Sequence, residues 1–207
     1  MRAIDPAEHA ASDIYKLMIG IIVPRPIAFV SSLDKAGVRN LAPFSYFTGC
    51  STNPPVVCFC AAVRQGPRPH KDTLENVKAT GEFVVNIVSE EFAAQMNATS
   101  AEVGPEVDEF ALSGLTPIES DLVKPPRVAE SKVQMECRLR QIVEVSDKPG
   151  GGSLVLGEVL RFHVLESVLA DSYKIDPDKL NAIGRMGGPT YVRTHDRFDM
   201  QRPKVAP

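Results

Sequence analysis

His70-Lys71-Asp72-Thr73 places a cation and a hydroxyl at the start of the best-marked helix in the chain. The first N–H groups of a helix have no intrahelical partner and the helix dipole is positive at that end, so these residues form a ready site for a phosphate-like anion. A plainer reading also fits, with Asp72 as N-cap and Lys71 in solvent. Upstream, Pro24-Arg25-Pro26-Ile27-Ala28-Phe29-Val30-Ser31-Ser32 is an apolar strand ending in hydroxyls, and Asn40-Leu41-Ala42-Pro43-Phe44-Ser45-Tyr46-Phe47 carries an amide, a hydroxyl and rings. Taken singly, Arg25 reads equally as a surface residue held between prolines, Asn40 as a strand start, and Tyr46 and Phe47 as core.

Other chemistries lack their residues. No G-x-G-x-x-G opens a helix after a strand and no G-K-[ST] is present, so a Rossmann domain or phosphate-binding loop is not expected. The glycines at 150–152 lie between two strand candidates and read as a hairpin tip. His9, His70, His163 and His195 are widely spaced, with no H-E-x-x-H and no C-x-x-C to complete a metal set, and G-x-S-x-G is absent. His163 alternates with Arg161 along a strand and reads as solvated or packed. Cys50, Cys58, Cys60 and Cys137 are expected to be reduced thiols, three of them in apolar surroundings. Asn97-Ala98-Thr99 matches a glycosylation sequon by pattern only.

The elements that must position these residues are mostly strands. Seventeen prolines, from Pro6 to Pro207, interrupt short apolar runs. That spacing favours a barrel or sandwich over long helices. Ile19 to Val23 and Ile27 to Val30 are predicted as short strands, followed by a hairpin turn through Lys35-Ala36-Gly37. Val56 to Val63 is predicted as a buried strand. Asp72 to Thr80 should be helical, with Asp72 as N-cap, Glu75 as its capping-box partner and Gly81 after the helix. Phe83 to Val88 is a second buried strand, in which Asn86 must find hydrogen-bond partners, with a neighbouring backbone expected ahead of a ligand. Ser89-Glu90-Glu91 caps a helix towards Asn97, and Gly114 stops a short helix within 103–115. Leu122 to Pro126 is a covering connection. Residues 133–139 alternate, with Gln134, Glu136 and Arg138 facing outward, and pair with Leu154 to Leu165. Asp176-Pro177 opens a last short helix that Gly184 can end.

At 207 residues, with 43% hydrophobic and 24% charged residues, the chain is expected to fold as a single domain over 1–207. A formal net charge of −3 provides no general cationic field for nucleic acid or anionic lipid, so any anion site must be local. No apolar run reaches the length of a membrane span, and Met1 to Pro6 lacks the apolar core of a signal peptide, so a cytoplasmic location is expected.

The two upstream segments, Lys71-Asp72-Thr73 with Asn76 and Asn86 after it, and a closing Arg185-Met186-Gly187-Gly188-Pro189-Thr190-Tyr191 resemble, in this order, the flavin reductase-like, FMN-binding split-barrel family. The resemblance implies a mainly β fold with peripheral α, an FMN-binding split β-barrel. It implies that Arg25 and Ser31, or Ser32 in its place, lie near the polar parts of FMN, with Val30 packing or offering backbone. Asn40, Ala42, Pro43, Ser45, Tyr46 and Phe47 would wrap the ring and ribityl chain, with Ser45 as the hydroxyl contact. Cys60 would lie beside the flavin, and Lys71, Asp72 and Thr73 near its phosphate. No catalytic side chain is required, because the flavin carries the chemistry; Arg185 is the candidate to offset charge on the reduced ring, from across a dimer interface if not its own protomer. Phe29 stands where many relatives carry tryptophan.

The activity implied is NAD(P)H-dependent reduction of flavin or another acceptor, with NADH or NADPH as donor. A homodimer is also implied, with a flavin-dependent monooxygenase or another acceptor protein as a partner. Two alternatives stay open: a flavoredoxin-like electron carrier that binds FMN without nicotinamide turnover, and a flavin-binding protein without redox turnover.

Overall fold

The computed structural model describes residues 1–203; Pro207, the last of the prolines in the pattern above, lies outside them. The chain begins with α1 (Ala11–Ile21) and then β1 (Ala28–Leu33), β2 (Arg39–Phe44), β3 (Phe47–Thr52) and β4 (Pro55–Ala62). Next come α2 (Asp72–Thr80), β5 (Glu82–Ile87), α3 (Ala93–Ala98), α4 (Glu109–Ser113) and the short pair β6 (Pro117–Ile118) and β7 (Arg127–Val128). The long hairpin β8 (Val133–Ser146) and β9 (Gly152–Val164) follows. Beyond it lie β10 (Leu169–Ala170), β11 (Lys174–Ile175), α5 (Pro177–Leu180), β12 (Ile183–Arg185) and β13 (Tyr191–Arg193).

Seven strands form one sheet in the order β2-β1-β5-β8-β9-β4-β3, each neighbour antiparallel. Its two outermost strands, β2 and β3, are consecutive in the chain, joined by Ser45 and Tyr46 alone. Laid flat, strands at opposite edges would stand roughly 29 Å apart, at about 4.8 Å per spacing. Two residues bridge at most about 11 Å. The sheet therefore has to curl until its edges approach, giving a mainly β split barrel with peripheral helices. Ser45 and Tyr46 cross the open seam.

Apolar side chains fill both sides of the sheet. Inside the barrel, Val30, Phe44, Phe59, Phe83, Val85 and Val155 form a buried cluster, with Phe59 against Phe44 (centroids 4.8 Å) and edge-on to Phe83 (5.5 Å). Each buried phenyl ring contributes about 1.5–3 kcal/mol relative to exposure. Gly157 allows this packing, since a Cβ there would sit 2.2 Å from Phe83 Cζ. Outside, Phe29, Phe92, Met96, Phe110 and Ile183 form a second cluster between β1 and the covering helices. With Phe29 outward and Val30 inward, β1 is buried on both faces, as its unbroken apolar sequence requires.

Several local expectations change. Ile19 to Ile21 are helical, and Ile22 closes α1 rather than starting a strand. The β-branched run reads as a strand, but its last carbonyls are claimed by Arg25, whose Nη1 donates to Ile19 O (2.7 Å) and Ile22 O (2.6 Å). Ser89 makes no side-chain cap and is followed by a 3-10 turn, Glu90–Phe92, before α3. Asn181, at φ 52°, ends α5, whereas Gly184 lies within β12. Gln134 and Glu136 are buried although their strand alternates, because residues 121–123 close over Glu136 and residues 127–131 over Gln134. Glu136 accepts N–H bonds from Asp121, Leu122 and Val123, and His163 Nε2 lies 2.5 Å from its carboxylate. Asn86 bonds backbone as expected, donating to Phe29 O and accepting from Val128 N–H. Among the described residues, no helix is long and apolar enough to cross a membrane.

Candidate functional site

On the β2 side of the seam lies a cleft of about 280 Å³. Its floor is Asn40, Ala42, Pro43, Phe44 and Ser45, with Lys71, Asp72 and Thr73 at one end, and Arg185 and Tyr191 are also in its wall. Tyr15 of α1, Met96 and Asn97 of α3, residues 99–101 after it, Arg64 and Glu109 also line it. The chain's two sequence signals, the 40–45 segment and the start of α2, thus meet although the elements between them run around the barrel.

The α2 end is cationic. Burial pushes the Lys71 ammonium below its usual pKa, and the nearby Arg64 guanidinium adds to that. Lys71 makes no ion pair among the described residues. Arg64 Nε is buried without a hydrogen-bond partner, its nearest carboxylate oxygen on Glu102 lying 3.8 Å away. Lys71 is itself the backbone cap of α2, and its carbonyl accepts from Leu74 and Glu75 N–H, while no acceptor meets the Asp72 and Thr73 N–H groups among the described residues. Two cations and the free amides of a nine-residue helix fit a phosphate dianion.

The predicted capping box does not form. Asp72 turns its carboxylate to Arg68 (2.6 Å) and Arg64 (3.4 Å) instead of the helix amides, and Glu75 pairs with Lys78. Two guanidinium partners compete better for a carboxylate than one neutral amide.

A buried polar chain lies beneath the cleft. Thr73 Oγ1 donates to Asn40 Oδ1 (2.6 Å), as does Ser32 Oγ (3.2 Å), and Ser32 accepts from Asn76 Nδ2 (3.2 Å). Asn40 Nδ2 and the Leu41 N–H donate to the two carboxylate oxygens of Glu109, at 2.8 and 3.0 Å. Leu41 lies on an outer strand of the sheet, so Glu109 caps an edge amide that has no strand partner. Burial pushes the Glu109 carboxyl above its usual pKa, and the Leu41 N–H opposes that.

Arg185 and Tyr191 form a further wall, with the guanidinium 4.4 Å from the ring centroid. Arg185 Nη2 donates to Gly188 O (2.6 Å), and Tyr191 Oη donates to Asn97 Oδ1 (3.3 Å). Arg185 lines the cleft of its own protomer.

The structure gathers Asn40, Ala42, Pro43, Ser45, Lys71, Asp72, Thr73 and Arg185 in the cleft and places the remaining candidates elsewhere. Arg25 is 4% exposed, and its guanidinium is spent on Ile19 O, Ile22 O, Met186 O and Ser45 Oγ. Val30 is core, and Ser31 donates to Pro126 O. Ser32 reaches the cleft only through Asn40. Phe47 packs on the barrel core, while Tyr46 lies part-exposed at the seam, its carbonyl accepting from Cys60 N–H (2.9 Å). Cys60 is half-buried, with its thiol pKa raised by burial.

Arg64 and Glu109 escaped the sequence reading. Arg64 follows a strand as any surface cation would, and Glu109 looks like an ordinary first-turn acid after the Asp108 cap.

Comparison with known proteins agrees with this architecture. Residues 20–180 match the flavin reductase like domain. An uncharacterized protein of Aquifex aeolicus is 43% identical over 186 residues, 90% of this chain and 92% of its own. Nitrilotriacetate monooxygenase component B from Bacillus cereus is similar in structure with a TM-score of 0.91 at 39% identity, over 97% of this chain and 98% of that one. The Pseudomonas fluorescens 2-nitrobenzoate 2-nitroreductase NbaA has a TM-score of 0.88 at 29% identity, over 100% and 98% of the two chains. With a family match across most of its length and a seam cleft that joins an apolar floor to a cationic helix start, the chain belongs to the flavin reductase-like family of flavin-related oxidoreductases.

Proposed function

We propose that the chain binds FMN in the seam cleft and is an NAD(P)H-dependent oxidoreductase that reduces flavin or another acceptor. The observation that carries this reading is Lys71, which has no ion-pair partner among the described residues, and Arg64, whose Nη2 holds Asp72 while its Nε has no hydrogen-bond partner, beside the free amides of α2 and the apolar Ala42-Pro43-Phe44 floor. In it, Lys71, Arg64 and the Asp72 and Thr73 amides hold the phosphate, and the 40–45 segment takes the ring and polyol. Bound FMN supplies the hydride-accepting chemistry, so no side-chain nucleophile or general base is needed. Arg185, a full cation in the cleft wall, offsets negative charge on a reduced ring.

A homodimer is part of the proposal. Tyr15, Leu17, Met18, Ile21 and Ile22 leave α1 with an exposed apolar face. The cleft volume also sits just below the roughly 300–1,000 Å³ of typical ligand sites, which supports completion by a second protomer. A flavin-dependent monooxygenase or another electron-accepting protein is the proposed receiver, and a cytoplasmic location suits four free thiols.

The test is an anaerobic titration of the FMN-loaded protein with NADH and, separately, NADPH, following the oxidised flavin band at about 450 nm. Rapid bleaching by either nucleotide is the expected result. Persistence of the band with both, followed by bleaching with dithionite, would remove the nicotinamide step and favour an electron carrier.

A further inference from the structure

The carboxylate of Glu109 dictates which way the hydrogen bonds run under the cleft. It is 6% exposed and accepts from Asn40 Nδ2 and Leu41 N–H. An ionised carboxylate has no proton to give, so Asn40 must turn its NH2 towards Glu109 and its carbonyl oxygen away. That oxygen then accepts the hydroxyl protons of Thr73 and Ser32. Each hydroxyl owns one proton. Thr73 lines the cleft while only 1% exposed, and with its proton committed to Asn40 its hydroxyl can act towards a ligand only as an acceptor.

We propose that Glu109 is a specificity-determining positioning residue: through Asn40 it fixes Thr73 as a hydrogen-bond acceptor in the cleft and thereby selects a ligand that brings a hydroxyl donor to that point. This rests on the flavin reading above and assigns the Thr73 hydroxyl to the polyol chain of the ligand, while the Thr73 amide stays with the phosphate. A phosphate dianion has no proton to give Thr73, and its donors are Lys71, Arg64 and the α2 amides.

Glu109→Gln tests the polarity without changing size. Leu41 N–H still requires an acceptor, so the Gln carbonyl takes that place and its NH2 faces Asn40. Asn40 must then reverse, donating to Thr73 and Ser32, and Thr73 turns its own proton to the cleft. Dissociation constants for FMN, riboflavin and lumiflavin, whose ring carries only a methyl in place of the ribityl chain, are measured by fluorescence quenching for the native protein and the variant. FMN and riboflavin should each weaken about tenfold, as for one lost hydrogen bond, with lumiflavin unchanged. Loss for FMN alone would assign the Thr73 hydroxyl to the phosphate and overturn the proposal. Equal loss for all three would reduce Glu109 to holding the shape of the cleft, and no loss would make the polarity irrelevant; either overturns it. Thr73→Val provides a second route that leaves Glu109 intact: it should reproduce the same pattern, and Thr73→Ser should restore affinity. Failure of the native protein to bind any of the three flavins would overturn the flavin reading, and this inference with it, before the variants are compared.

Discussion

Arg25 and Arg185 exchange two backbone hydrogen bonds, Arg25 N–H to Arg185 O at 2.9 Å and Arg185 N–H to Arg25 O at 2.8 Å. This isolated bridge ties the segment before β1 to the last part of the chain. The Arg25 side chain extends the tie to α1 and to Ser45, while the Arg185 side chain lines the cleft. One residue therefore holds the wall in which the other sits.

Arg25→Ala should cost about 2–4 kcal/mol of stability, because one buried and two part-buried carbonyl acceptors lose a charged donor together. Arg25→Lys keeps the charge without the planar fork and should lose less. Urea unfolding midpoints measure both, and limited proteolysis should show α1 released first. A change below about 0.5 kcal/mol for the alanine variant, the range of ordinary surface substitutions, would mean that the clasp is idle.

Lys71→Ala should weaken FMN by tenfold or more and riboflavin by less than threefold, as expected for a charge-assisted bond to phosphate. Stability should hardly change, since burial already disfavours the charged Lys71 and no partner is abandoned. Equal losses for the two flavins, measured by equilibrium titration, would rule out the phosphate assignment.

Glu136 provides a pH test away from the cleft. Burial pushes its pKa up, but the N–H bonds from Asp121 and Leu122 and the contact with His163 outweigh that and hold it below the ordinary value. A carboxyl lowered in the folded state contributes stability that is complete above its unfolded pKa, about 4.3, and is lost as pH falls through the folded value. Glu136→Gln should therefore lose about 2–3 kcal/mol at pH 7, since its amide cannot accept from all three N–H groups, and less as the pH drops below 4. Thermal unfolding from pH 3 to 8 follows the difference, and a constant gap across that range would contradict it.

The four thiols should react in an order set by burial. Cys50 is exposed, whereas burial and then the neighbouring Cys50 push Cys58 up to about 11, and Cys137 lies deeper still. Iodoacetamide at pH 8 should label Cys50 first, Cys60 slowly, and Cys58 and Cys137 only on unfolding. Peptide mass spectrometry of timed samples reads the order; early labelling of Cys137 would show that the barrel opens.

Which parts were legible depended on the range of the forces involved. Gly114 after α4 and Gly81 after α2 take the left-handed conformation expected of helix ends, a matter of a few adjacent residues. The hairpin through Lys35-Ala36-Gly37 and the both-faces-buried β4 are equally local. Asp72 was not so confined. As a cap it obeys a local rule, but Arg64 and Arg68 fold into reach and take its carboxylate.

The sequence by itself determined the strand-rich pattern, the apolar runs that must be buried, and the segments whose likeness identifies the family. Tertiary structure alone decided how those segments are used. Closing the sheet brought Asn40 to Thr73 and set Glu109 beneath both, a juxtaposition of residues 33 and 69 positions from Asn40 along the chain. It also turned Arg25 inward to its carbonyls and left Lys71 facing the cleft. Residue types and local spacing govern turns, caps and periodicity, but hydrogen-bond partners distant in sequence are chosen only when packing has removed water and each buried polar group must find whichever mate the fold places within reach.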